Sequence, residues 1–106
     1  MTAPARLDNA RVICFASIGK DQRHTGRTRH FVHGKLQSPA THLVICQYDD
    51  DPDGAVYLFG CDADWNVITD TWHESVDAAK LQAAYEYEEI ERVWRSPENI
   101  ATSTDE

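Results

Sequence analysis

A chain of 106 residues has room for one domain, and its composition, with 42% hydrophobic and 26% charged residues, excludes a protein that is disordered over most of its length. The formal net charge of -8 disfavours nonspecific nucleic-acid binding by the whole molecule, because an acidic surface repels phosphates. The chain has no apolar run long enough to span a membrane and no signal-peptide pattern in its first residues. We therefore predict a cytoplasmic protein with neither a membrane nor a nucleic-acid partner.

The charges are distributed unevenly along the chain. Up to His42, seven Lys and Arg residues stand against two Asp residues, a balance of +5. The remainder carries three basic residues against sixteen acidic ones, a balance of -13. This asymmetry permits self-association through opposite patches, although an acidic surface with one solvated basic loop explains the pattern equally well.

The N-terminal half predicts one clear strand and a loop. Residues 11–18 are rich in β-branched and aromatic side chains and end at Gly19, which predicts a first strand. Residues 19–29 are polar and basic, as expected for a loop. Residues 30–35 have the composition of a short strand, which the segment from Ser38 breaks.

The next three segments predict an antiparallel meander. Residues 42–48 and 55–61 are apolar and flank an acidic turn at 49–54, the pattern of a hairpin. Residues 66–72 follow after a short turn and predict a third strand beside the hairpin.

A helix is predicted for residues 76–92. Ser75 is a favourable N-cap, and acidic residues surround the positive end of the helix dipole. One apolar stripe with spacings of three and four follows, formed by Val76, Ala79, Ala83, Tyr87, Ile90 and Trp94. The stripe predicts that one face of this helix packs on the sheet, with Trp94 in the core. Trp72, at the end of the third meander strand, is also predicted to be a core residue.

These elements predict an α+β fold: one domain over residues 1–95, an antiparallel meander sheet of about four or five strands with a C-terminal helix on one face, and a flexible tail over 96–106. A single helix covers only part of such a sheet. Because the strands at 43–48 and 56–61 are apolar on both faces, we expect the second face to meet another partner, most simply a second copy of the chain.

The cysteines do not indicate disulfides or a redox site. Cys14, Cys46 and Cys61 each lie inside an apolar, strand-like segment, and no C-x-x-C pair occurs. We interpret them as reduced thiols of the core.

Metal-binding and cofactor motifs are incomplete. Asp49, Asp51, Asp53 and Gly54 match the first half of a calcium loop, but Gly60 occupies the position of the bidentate Glu, so we interpret the segment as an acidic hairpin turn. No Cys or His pair has the spacing typical of a zinc site. We predict neither a metal nor a cofactor.

Catalytic residues are not indicated either. Asp70, His73 and Glu74 are positioned in the sequence to orient a general base beside Thr71 or Ser75. Ser75 is better explained as the helix cap, and the two acidic residues as solvated side chains.

The candidates for binding a partner or ligand lie in two regions. Guanidinium groups of the basic loop are suited to hold a carboxylate or phosphate, although a solvated loop explains them too. A tryptophan within a turn is either folded back over the sheet or offered to a partner. The candidate residues are Arg27, Arg29, His30, Trp65, Asp70 and His73.

The C-terminal half resembles a group of small uncharacterised bacterial proteins, some of them carried on integron gene cassettes. The resemblance rests on Tyr57-Leu58-Phe59, on Asp62-Ala63-Asp64-Trp65-Asn66, on Asp70-Thr71-Trp72-His73-Glu74-Ser75 and on a helix that carries Gln82-Ala83. It implies the layout of a meander and a helix and no assigned activity.

Two functional hypotheses remain. The first is a noncatalytic interaction or regulatory module that acts as a homodimer, with a possible protein partner. The second is a small-ligand binding protein, for an anion, or an enzyme, with a pocket between helix and sheet and with Arg27, Arg29, Asp70 and His73 at its mouth.

Overall fold

The computed structural model describes residues 3–36, 39–51 and 53–97, which form an antiparallel sheet with one helix. The strands are β1 (Arg6–Leu7), β2 (Ala10–Ser17), β3 (Phe31–Val32), β4 (Lys35–Leu36), β5 (His42–Gln47), β6 (Val56–Cys61) and β7 (Val67–His73). The helix α1 spans Val76–Glu86, and a short 3-10 turn follows at Ile90–Arg92. The predicted α+β fold is confirmed. Most of the predicted tail, residues 98–106, lies outside the described residues.

The main sheet has the strand order β1-β2-β5-β6-β7, and every neighbouring pair is antiparallel. The last three strands form the predicted meander. The long connection between β2 and β5 carries a separate hairpin, β3-β4. The sheet thus ends at β7, whose outer edge lies next to this connection.

The single strand predicted over residues 30–35 is wrong, because the chain reverses direction within it. His33 and Gly34 have φ values of 52° and 82°, and they join β3 to β4 as a two-residue turn. Positive φ at both positions is the geometry of a type I′ hairpin turn. Asp8 and Asn9, at 53° and 68°, make the same kind of turn between β1 and β2.

The helix begins as predicted and ends earlier than predicted. The Oγ of Ser75 accepts a hydrogen bond from the Ala78 N–H at 3.0 Å, as an N-cap does. At the other end Tyr87 is extended, with φ -135° and ψ 131°. The reason is pairing with the basic loop: the Glu86 carbonyl accepts from the Thr25 N–H at 2.8 Å, and the Glu88 N–H donates to the Arg23 carbonyl at 2.9 Å. These bonds replace the last predicted helical turns.

The helix packs on one face of the sheet through its smallest residues. Ala79 and Ala83 are fully buried, which lets the helix axis approach the strands closely. The core on this side also contains Cys14, Ala16, Ala40, Leu43, Ile45, Val56, Leu58, Tyr87 and Ile90. Trp94 packs against its edge and is partly buried. The apolar stripe predicted from the sequence is therefore the packed face.

The opposite face of the sheet is covered by the chain itself. Its core is made of Ala3, Ala10, Val12, Phe15, Val44, Cys46, Phe59 and Cys61, and each of these residues is buried. Leu7, Trp65 and Val67 pack against its border. The expectation that this face needs a partner is wrong, because its apolar residues are already buried within one chain. Homodimerisation stays a prediction without that argument.

Two side-chain predictions have opposite outcomes. All three cysteines are free and buried, as predicted. Trp72 is 53% exposed, so its predicted core role is wrong. It lies on β7 at the edge of the sheet, and no strand within residues 3–36, 39–51 and 53–97 pairs with the outer side of β7.

Candidate ligand-binding cavity

A cavity of about 280 Å³ lies where the sheet, the C-terminal end of α1 and the basic loop meet. Its floor is formed by β5, β6 and β7 through Leu43, Leu58, Gly60, Thr69 and Thr71. Thr69 and Thr71 are two positions apart on one strand, so their side chains face the same side of the sheet. Gly60 pairs with Thr69, and because Gly60 has no side chain, the Thr69 side chain fits above it.

The basic loop forms one wall of the cavity and is held against the helix end. His24 and Tyr87 form an isolated antiparallel bridge, and their rings meet edge to face at 5.1 Å between centroids. The Thr25 hydroxyl donates to the Tyr85 carbonyl at 2.8 Å. Gly26 reverses the chain with φ 81°. These contacts place Thr28, Arg29 and His30 over the floor.

Tyr87 connects the helix end to the segment before β5. Its hydroxyl oxygen accepts a hydrogen bond from the Ala40 N–H at 2.8 Å. Burial raises the pKa of Tyr87, so the phenol stays protonated and keeps its own O–H as a donor beside the cavity. The residue therefore supplies both an apolar ring and a polar group to the wall.

Glu86 is the one carboxylate that lines the described part of this cavity, and its side chain is only 6% exposed. His30 Nε2 lies 2.9 Å from Glu86 Oε1, and the Gln82 side-chain amide donates to Oε2 at 2.8 Å. A buried carboxylate is costly unless donors satisfy it, and here one donor reaches each oxygen. The basic loop and the helix thus meet at a polar contact inside the cavity.

Thr28 and Thr71 also belong to the lining. The Oγ1 of Thr28 is buried and has no hydrogen-bond partner among the described residues. The Thr71 hydroxyl lies 2.8 Å from His73 Nε2. Burial lowers the pKa of His73, while the negative charge of Glu86 opposes this shift. The His73 imidazole is thereby favoured in its neutral form.

The predicted binding residues are not all brought together. Arg29 and His30 line the cavity. His73 is not among the lining residues, but it contacts Thr71, which is. Asp70 lies in a shallower depression next to the cavity, which it shares with His30. Arg27 lies over the Tyr85 ring, 5.3 Å from its centroid.

Trp65 lies on the opposite side of the sheet. Its ring stacks on His42 at 3.8 Å between centroids and meets Phe15 edge to face at 5.8 Å. Of the two alternatives predicted for this tryptophan, the structure has the ring folded back over the sheet. Its side chain is partly buried and does not reach the cavity.

Sequence reasoning missed the central residue, Glu86, although a signal was present. Val76, Ala79, Ala83 and Glu86 follow one another at spacings of three, four and three, so the carboxylate lies on the apolar stripe. A charged residue on a packed face needs a partner, and this indicates a buried polar contact. No comparable signal marks Thr28, whose place depends on the path of the loop.

No family model, curated protein or solved structure matches this chain, so the proposals below rest on the cavity and its surroundings. The resemblance to integron-cassette proteins stays a prediction.

None of the helices formed by the described residues is long and apolar enough to cross a membrane. Within residues 3–36, 39–51 and 53–97, no group of three His, Cys, Asp or Glu side chains is arranged to hold a metal ion.

Proposed function

We propose that this protein is a small-ligand binding domain and that the cavity at the end of α1 is its binding site. The observation that supports this proposal is the composition of the cavity. Leu36, Leu43 and Leu58 give it apolar walls, and Glu86, Thr69 and Thr71 place a buried carboxylate and two hydroxyl groups among them. Pockets for small molecules combine such walls with a few polar groups, and about 280 Å³ is close to the lower end of their usual size.

A cavity-filling variant tests the proposal. Thr71→Phe places a ring in the cavity from a strand position where aromatic residues are favourable. Leu81→Phe is the matched control, because Leu81 is 73% exposed on the helix surface. Small-molecule fragments should shift the amide resonances of cavity residues in the wild type and in Leu81→Phe, and should fail to do so in Thr71→Phe.

The same screen supplies the outcomes that contradict the proposal. If no fragment shifts these resonances in the wild-type protein, the cavity is not a binding site. If fragments shift them equally in Thr71→Phe, binding occurs elsewhere on the surface. Thermal stabilisation that grows with the fragment concentration gives an independent measure of binding to the folded state.

Self-association, as a homodimeric interaction module, is the second candidate, and an aromatic surface on the other side of the sheet favours it. Trp72 pairs with Tyr57 across β6 and β7, so their side chains are neighbours on one face. The Tyr57 ring meets the Tyr48 ring edge to face at 5.5 Å. Trp72 is 53% exposed, whereas Tyr48 and Tyr57 are partly buried. Large aromatic residues such as an exposed tryptophan are enriched at the centres of protein interfaces.

Native mass spectrometry tests this candidate. A dimer that is lost in Trp72→Ser and kept in Leu81→Ser would support association through the aromatic surface. A wild-type monomer at all protein concentrations, or a dimer that is indifferent to Trp72→Ser, would contradict it.

A further inference from the structure

We infer that the cavity selects ligands that carry a protonated amine on a compact apolar body, and that Glu86 is the residue that recognises the amine. This inference rests on the proposed function and names the chemical class of its ligand. It differs from the anion expected from the basic loop, because Glu86 adds a buried carboxylate to the lining of the cavity.

The hydrogen bonding of Glu86 supports the inference. An ionised carboxylate has about four acceptor positions, and the described donors, His30 and Gln82, occupy one on each oxygen. Both oxygens therefore keep acceptor capacity, and Glu86 belongs to the cavity lining. A ligand ammonium brings donors and a charge of the opposite sign, whereas a ligand carboxylate brings acceptors and a charge of the same sign.

The hydroxyl groups of the cavity suit the same ligand class. A primary ammonium has three donors and no acceptor, so it needs more than one oxygen around it. Thr69 and Thr71 provide such oxygens from the floor of the cavity. The leucines of the walls remain for the hydrocarbon part of the ligand.

Size and overall charge agree with a small cation. At the share of about 30 Å³ that a water molecule takes in the liquid, a cavity of about 280 Å³ accommodates a molecule of roughly nine non-hydrogen atoms. The net charge of -8 attracts cations toward the protein and repels anions. Arg29, the arginine that lines the cavity, is solvent-exposed, so water and salt screen its charge more than that of Glu86.

Three probes of similar size and different charge test the inference on the wild-type protein: 2-phenylethylamine, 2-phenylethanol and phenylacetate. Protein-observed NMR titrations report affinity and position together. We expect the amine to bind most tightly and to shift the resonances of Thr28, Thr69 and Glu86. Because this comparison needs no variant, it stays decisive if a substitution in the cavity unfolds the protein.

Two variants then assign the effect to one residue. Glu86→Gln keeps the shape of the side chain and removes its charge, and we expect it to weaken amine binding by roughly ten- to a hundredfold. Glu88→Gln removes the same charge from an exposed position two residues later and is expected to leave the affinity within about twofold. Far-ultraviolet circular dichroism confirms that both variants are folded.

The outcomes separate this inference from the proposed function. If phenylacetate or the alcohol binds in the cavity as tightly as the amine, or if Glu86→Gln binds the amine unchanged, the ligand class is wrong and the binding site stands. If none of the three probes shifts cavity resonances at millimolar concentration, the inference is overturned, and the fragment screen decides separately on the proposed function.

Discussion

Substituting Gly60 by alanine tests how closely the floor of the cavity is packed. A Cβ built at this position would overlap with the Thr69 hydroxyl and would lie 3.3 Å from the Ala40 Cβ. Overpacking of this kind costs about 1–3 kcal/mol. Gly60 has no positive φ, so an alanine at this position has no backbone strain. Alanine also lowers the conformational entropy of the unfolded chain, which offsets about 0.4–1 kcal/mol of the destabilisation. We expect Gly60→Ala to lower the free energy of unfolding by about 1–2 kcal/mol.

The expected loss corresponds to a decrease in Tm of roughly 5–10 °C for a domain of this size. Urea unfolding followed by tryptophan fluorescence measures it directly. Thr69→Ala removes the hydroxyl that overlaps, so Gly60→Ala should cost close to nothing in that background. The double-mutant cycle should then show a coupling of about 1–2 kcal/mol between the two positions.

Two results would refute this reasoning. A neutral or stabilising Gly60→Ala would mean that β6 and β7 move apart without a free-energy cost. The floor of the cavity would then be loosely packed. A destabilisation of equal size in the Thr69→Ala background would place the overlap elsewhere, with the Ala40 side chain as the remaining neighbour.

Three further predictions concern other parts of the fold. Burial lowers the pKa of His42, so the unfolded chain binds more protons than the folded chain at pH values just below the ordinary His pKa of about 6.5. The contribution of His42 to stability is therefore complete above that pH and is lost as the pH falls toward the folded pKa. His42→Gln should flatten this dependence in urea titrations carried out at decreasing pH below about 6.5. Burial raises the pKa of Cys46 and Cys61 to about 12 and also raises the pKa of Cys14. A disulfide reagent at neutral pH should therefore leave the native thiols unmodified and should modify all three once denaturant is added. Rapid modification of the native protein would contradict the buried placement of these thiols. Ser75→Ala should lower the free energy of unfolding by about 1 kcal/mol, and Ser75→Asp should preserve it. Equal stability of the wild type and the two variants would exclude a contribution from the helix cap.

Much of the fold could be predicted because its signals are local. The segments that form β2, β5, β6 and β7 are recognisable from the pattern of apolar residues within each segment. Ser75 marks the start of the helix, because its side chain forms a hydrogen bond with a residue only three positions away. The Asp8-Asn9 and His33-Gly34 turns were missed although their residue types favour positive φ, because the strands that they join are only two residues long on at least one side.

The candidate site was predicted only in part, because its residues come from distant parts of the chain. Arg29, His30 and the general position between helix and sheet followed from the sequence. The contact between His30 and Glu86 spans 56 residues, and nothing local fixes it. The exposure of Trp72 also depends on the tertiary structure. Its residue type favours the core, but it lies on the edge strand β7 and its ring is exposed to solvent.

The sequence by itself determined the fold class, the meander, the helix start and the buried thiols, since each depends on periodicity or on a contact between near neighbours. The tertiary structure alone decided where the helix ends, what covers the second sheet face and which side chains line the cavity. Backbone pairing with the basic loop stops α1 at Glu86. Residues from several strands and from the turn at Trp65 pack together and bury the second core within one chain. Both depend on long-range contacts whose free energy outweighs local preference.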